Sequence, residues 1–89
     1  MPKVVITHNV VDVDNWLKGK SERSEIITGL GGSNIVDHVA HDGSNSAALT
    51  FDSDDVEGLV AAIAAPPAEL AAAMERHGVV PPLAVYIAT

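Results

Sequence analysis

The order of the apolar segments is what most constrains this chain. A strand-like run, Val4-Val5-Ile6-Thr7-His8-Asn9-Val10, leads into a helix-like stretch opening at Asp12-Val13-Asp14-Asn15-Trp16-Leu17. Two short strand-like runs follow, then an alanine-rich helical region, then a closing run, Leu83-Ala84-Val85-Tyr86-Ile87. A β-α-β-β-α-β order leaves few ways to pair the strands and bury the helices.

Local signals support that order. The first strand is expected from about Lys3 to Val10. Asp12 and Asp14 are both placed to cap the first helix, and either leaves a carboxylate where the helix dipole favours it. Val13, Trp16, Leu17, Ile27 and Leu30 recur at helical spacing and define one buried stripe, with Lys20 and Arg23 near it. Gly19 inside that helix costs about 1 kcal/mol against alanine, which points to a close neighbour or to simple tolerance. Gly29-Leu30-Gly31-Gly32 stops the helix. Asn34 to His41 and Ser46 to Asp52 read as two strands joined by the hairpin signal Asp42-Gly43-Ser44-Asn45. The second helix is expected to begin at Ser53 or Asp54, where Asp54 and Glu57 have the spacing of a capping box. Val56, Leu59, Val60 and Ile63 form its apolar face. Pro66-Pro67 interrupts it, and Pro67 suits the first position of a new helical turn. Leu70, Ala73, Met74 and His77 continue one face as far as Gly78, after which Pro81-Pro82 imposes extended backbone before the last strand.

Right-handed crossovers turn this order into an α+β ferredoxin-like plait: a four-stranded antiparallel sheet with both helices on one face, in a single domain over residues 1–89. The other face of the sheet is diagnostic. The first strand divides into Val4, Ile6, His8, Val10 against Val5, Thr7, Asn9, and the last into Leu83, Val85, Ile87 against Ala84, Tyr86, Ala88. No charged residue lies between Val4 and Val11 or after Arg76, so both faces are expected to be covered. The simplest cover is the sheet of a second copy. Composition agrees: 89 residues with no cysteine and a single Trp, Tyr and Phe make a small aliphatic core that no disulfide can staple. A net charge of −7 repels nucleic acid and anionic membranes. No apolar run approaches the ~20 residues of a membrane span, and the N-terminus lacks the pattern of a signal peptide. A cytoplasmic location is the expectation.

On these residues the chain resembles the dimeric α+β barrel superfamily, which includes antibiotic-biosynthesis-monooxygenase-like proteins and small uncharacterised actinobacterial relatives. The resemblance is carried by the opening Val5-Ile6-Thr7-His8-Asn9-Val10-Val11-Asp12 and the helix start Asp14-Asn15-Trp16. Arg23 before the Gly29 stop and the ending Met74-Glu75-Arg76-His77-Gly78-Val79 complete it. It implies a homodimer with sheets packed face to face and a small-molecule pocket between sheet and helices in each subunit. It further implies a cofactor-independent monooxygenase, cyclase or isomerase acting on a small aromatic or polyketide-like compound, in which the substrate anion itself activates any oxygen used. A non-catalytic dimeric ligand-binding or stress-related module is the alternative.

Within such a pocket His8 is the candidate catalytic residue. Its parity with Val4 and Ile6 turns it toward the helices, and Trp16 follows close behind. A histidine beside apolar walls can act as a general base or hold a ligand carbonyl or phenol; it can also simply be satisfied by a backbone carbonyl. Arg23 has no acidic residue three or four positions away, whereas Lys18 can pair with Glu22. Arg23 is therefore free to bind an anionic substrate group, to reach a carboxylate on another strand, or to snorkel to solvent. Trp16 serves as a core anchor or as a stacking surface for a flat ligand. Asn9 joins the substrate-binding set if its parity faces the pocket.

Other chemistries lack support. His38 and His41 fall on opposite strand faces and no metal-ligand spacing occurs, so no metal site is expected. His77, just before Gly78, is accounted for by the dipole at a helix C-terminus. Gly29-Leu30-Gly31-Gly32 follows a helix, the reverse of a phosphate-binding loop. No serine lies in a nucleophile elbow.

Overall fold

Alternation along the first strand organises the fold. In a computed structural model, which describes residues 2–89, strand β1 (Lys3–Val10) buries Val4, Ile6, His8 and Val10 on one side and turns Val5, Thr7 and Asn9 to the other. The remaining elements are α1 (Val13–Lys18), α2 (Lys20–Gly29), β2 (Gly32–Val39), β3 (Ser46–Ser53), α3 (Val56–Ala64), α4 (Ala68–Arg76) and β4 (Val79–Ile87). The strands form one four-stranded antiparallel sheet in the order β2-β3-β1-β4, the plait expected from the segment order. Each helical segment is split in two.

The helices pack on the face that β1 buries. Val4, Ile6, Leu49 and Phe51 from the sheet meet Ile27 of α2 and Leu59 of α3, and a second cluster joins Val10 and Ala47 to Trp16 of α1. Helix α1 is capped by Asp12, whose Oδ1 accepts from the Asp14 amide at 2.9 Å. Glycine at the break, Gly19, has a steric reason: a β-carbon there would overlap the His77 ring, so a glycine lets α4 end against this helix.

Several local expectations need correction. The cap of α3 is Asp55, whose Oδ1 accepts from Gly58 at 3.0 Å, and not Ser53 or Asp54. Asp54 is drawn to the preceding loop, where its amide donates to the Gly31 carbonyl and its carboxylate lies against Gly31, at φ +92°. Pro67 occupies the N-cap of α4, one position before the helix proper. Strand β2 starts earlier than expected, at Gly32, and stops at Val39 short of His41. Pro81 and Pro82 lie inside β4 instead of before it. Neither has an N–H to donate, and the pairing of β1 with β4 slips there, from Thr7 opposite Ala84 to Asn9 opposite Val80. His8 consequently has a register partner in β3, Ala47, but none in β4.

The outer face presents Thr7 between Ala48 and Ala84, with Val5 between Thr50 and Tyr86. Tyr86 is 59% exposed and Val36 48%. Among the described residues charge enters at one end of this face, where Lys3 pairs with Asp52 at 3.3 Å. Among the described residues no single helix is long and apolar enough to cross a membrane.

Candidate functional site

His8 and Trp16 meet on the inner face of the sheet, because strand parity points the first inward and the turn after Val10 brings α1 beneath it. Their rings stand edge to face, with centroids 5.8 Å apart. His8 Nδ1 lies 3.0 Å from the Asn9 carbonyl and donates to it, which leaves Nε2 as the unprotonated nitrogen. Burial pushes the His8 pKa below its ordinary value; the backbone bond opposes this, and the nearby Arg23 charge adds to the lowering. The imidazole is thus neutral and of fixed tautomer, the form a general base requires.

Arg23 is buried, not snorkelling. It sits over the Trp16 ring at 4.0 Å and donates through Nη1 to the Trp16 carbonyl at 2.9 Å. Its Nε faces Asp37 Oδ1 on β2 at 3.3 Å, a carboxylate on another strand, as one of its open possibilities had it. Nη1 also lies 3.3 Å from His77 Nδ1. A guanidinium has no lone pair to offer, so Nδ1 must be the acceptor. His77 therefore carries its proton on Nε2 and donates it to Glu22 Oε1 at 2.9 Å. Glu22 Oε2 accepts in turn from Arg76 at 2.7 Å. Glu22 thus reaches across to α4 instead of pairing with Lys18, and the Arg76 bond, with a smaller contribution from His77, holds its carboxyl below the usual range. Among the described residues two buried donors have no partner, Arg23 Nη2 and Trp16 Nε1.

His8, Arg23 and His77 form the polar end of a cavity of about 60 Å³ whose other walls are aliphatic, among them Ile6, Ile27, Leu59, Ile63 and Met74. Ligand pockets usually measure ~300–1,000 Å³, so the cavity as it stands admits a few waters or the edge of a small ring. Asn9 lies elsewhere. It faces an open cleft of about 420 Å³ on the outer face of the sheet, with Thr7, His38, Ser46 and Ala84, and its Oδ1 accepts from Ser46 Oγ at 3.0 Å. The sheet separates it from the side chains of Trp16 and Arg23. His38 bonds Thr50 Oγ1 at 3.0 Å on that outer face. Among the described residues no group of three or more His, Cys, Asp or Glu side chains could hold a metal ion.

His77 is the site residue that sequence reasoning set aside. It is 5% exposed and bonded on both nitrogens. Its signal was present in the helical register it shares with Ala73 and Met74, opposite an unexplained Gly19.

No family model matches the chain, and no curated protein does. Solved structures do. A Bordetella bronchiseptica protein named as a candidate antibiotic biosynthesis monooxygenase superposes with a TM-score of 0.76 at 11% identity, covering 99% of this chain and 94% of its own. A second structure, named antibiotic biosynthesis monooxygenase, gives 0.68 at 13% identity over 100% and 97% of the two chains. Protein Atu4242 from Agrobacterium tumefaciens gives 0.63 at 12% identity over 100% and 92%. These likenesses span both partners almost end to end and establish the ferredoxin-like α+β fold.

Proposed function

We propose that this chain is a small-molecule-binding enzyme that works as a homodimer, with His8 as general base and Arg23 as the donor that holds the ligand's reacting oxygen. One observation carries the proposal: a neutral imidazole with a bare Nε2 and a guanidinium with one unpartnered nitrogen belong to residues that line the same, largely apolar cavity. The monooxygenase names of the fold neighbours support oxygenation as the reaction. The outer face, with charge confined to the Lys3–Asp52 pair at one end, supports the dimer.

The charges also narrow the ligand. Arg23 is matched by Asp37 and Glu22 by Arg76, while the His8 imidazole is neutral. A carboxylate ligand would therefore bring an unmatched charge into a buried site, at a cost of several kcal/mol. A neutral carbonyl compound, enol or phenol would not. Loss of its proton to His8 Nε2 leaves the electron pair on oxygen, beside a new imidazolium and at the end of the cavity that the Arg23 guanidinium makes positive. The ligand carries no cofactor requirement into this step. Entry requires the cavity walls to retreat.

Phenol and benzoate, similar in size and different in charge, test the reading by thermal shift at neutral pH. Phenol should raise the melting temperature of the wild type and not that of His8→Ala, and benzoate should raise neither. Stabilisation by benzoate alone would reverse the charge argument. The cavity's small volume favours a second reading, a non-catalytic dimeric binding module, in which His8→Ala would change phenol affinity only modestly.

A further inference from the structure

We infer that His77 is a positioning residue that fixes the orientation of the Arg23 guanidinium at the polar end of the cavity, with Glu22 setting the tautomer that lets it do so. The inference rests on the role given above to Arg23 and extends it to His77, a neighbour at the same end of the cavity whose two ring nitrogens are already bonded within the protein. The guanidinium has five N–H donors, and three are engaged: Nε with Asp37, and the two of Nη1 with the Trp16 carbonyl and His77 Nδ1. Both unengaged hydrogens sit on Nη2, the nitrogen without a partner.

Asp37 and the Trp16 carbonyl anchor the guanidinium at two points. A plane held at two points can still pivot about the line that joins them; the third acceptor, His77 Nδ1, arrests it. That acceptor exists in only one of the two neutral tautomers. Glu22 Oε1, 2.9 Å from Nε2, selects it by accepting the hydrogen bond that Nε2–H donates. Gly19 completes the arrangement, because any side chain there would occupy the space of the imidazole. A histidine serving only as a helix cap would need neither bond.

The chain has two arginines, Arg23 and Arg76, so side-chain 1H–15N spectra are simple to assign. Arg76, with its side chain 55% exposed, should give averaged Nη signals, while Arg23 should give separate, slowly exchanging ones. His77→Asn places an amide oxygen where Nδ1 stands and should preserve the Arg23 signals. His77→Gln places an amide nitrogen where Nε2 stands, keeps the Glu22 bond, and should average them. Phenol affinity should fall about tenfold in His77→Gln and recover in His77→Asn, the equivalent of one charge-assisted hydrogen bond. Unchanged Arg23 signals in His77→Gln, or their loss in a folded His77→Asn, would overturn the assignment.

Should neither variant fold, the imidazole 15N spectrum of the wild type decides. An Nε2–H tautomer at His77 is required, and an Nδ1–H or doubly protonated ring rules the role out. None of these spectra contains ligand. Failure of phenol to bind while they come out as expected would therefore remove the catalytic reading and leave His77's hold on Arg23 standing.

Discussion

Arg23 sits over the indole of Trp16, its guanidinium carbon 4.0 Å from the ring centroid, and donates to that same residue's carbonyl at 2.9 Å. One residue thus supplies both a π-face and a backbone acceptor to a buried cation. The arrangement places the positive charge between α1 and β2, where Asp37, its side chain only 4% exposed, supplies the counter-charge.

Removing one member of this pair should be costly. Arg23→Met leaves a buried carboxylate without its cation, and urea unfolding should show a loss of about 3–5 kcal/mol. Arg23→Met combined with Asp37→Leu should recover most of that loss, since an apolar pair replaces a desolvated ionic one. A double variant as unstable as the single one would show that the ion pair is not the origin of the effect.

Gly19→Ala separates helix propensity from packing by sign alone. Propensity predicts a gain of about 1 kcal/mol. The β-carbon placed 2.3 Å from His77 predicts a loss of about 1–3 kcal/mol through overpacking. The loss is the expected result in a thermal melt, accompanied by disturbance of the His77 ring resonances.

The His8 pKa gives stability a definite pH dependence. Burial holds the folded pKa below the ordinary 6.5. On acidification the unfolded chain takes up a proton near that value which the folded chain refuses. The contribution is therefore full above about pH 6.5 and declines as pH falls through the lowered folded pKa, with a slope of at most about 1.4 kcal/mol per pH unit. His8→Asn should flatten this part of the profile. Urea midpoints measured from pH 7.5 down to 5 for both proteins make the comparison; an equal slope in the variant would assign the dependence to other groups.

Thr7 occupies the middle of the outer sheet face, between Ala48 and Ala84. Thr7→Arg should convert the proposed homodimer to monomer in native mass spectrometry, because a cation would be trapped between apposed sheets. Glu75→Arg, on the exposed surface of α4, should leave the assembly unchanged. A wild-type monomer would require some other cover for Val36 and Tyr86.

The parts of this structure legible in the sequence are those governed by short-range periodicity. A period of two along Val4 to Val10 placed His8 inward and Asn9 outward, and the ring contact with Trp16 followed from the short connection between them. Choices among adjacent equivalents were not legible. Asp54 and Asp55 are chemically identical, and the cap fell to Asp55 because the Gly31 loop engages Asp54. Glu22 had a plausible partner in Lys18 one turn away, yet tertiary packing brought Arg76 and His77 to it from α4. His77 was missed for a related reason. Its position at a helix end had a sufficient local explanation, while its functional partner lies 54 residues away in the chain.

That separation bears on how the protein comes to have a site at all. A cut in the hairpin at Gly43 would leave His8, Trp16, Arg23 and Asp37 on one fragment and His77 on the other. Neither piece would carry a correctly oriented guanidinium, however well its own strands and helices formed. The ordered Arg23 side chain is thus a reporter of assembly: its appearance during refolding would time the docking of the two halves, and its recovery on mixing complementary fragments would measure how well they recognise each other.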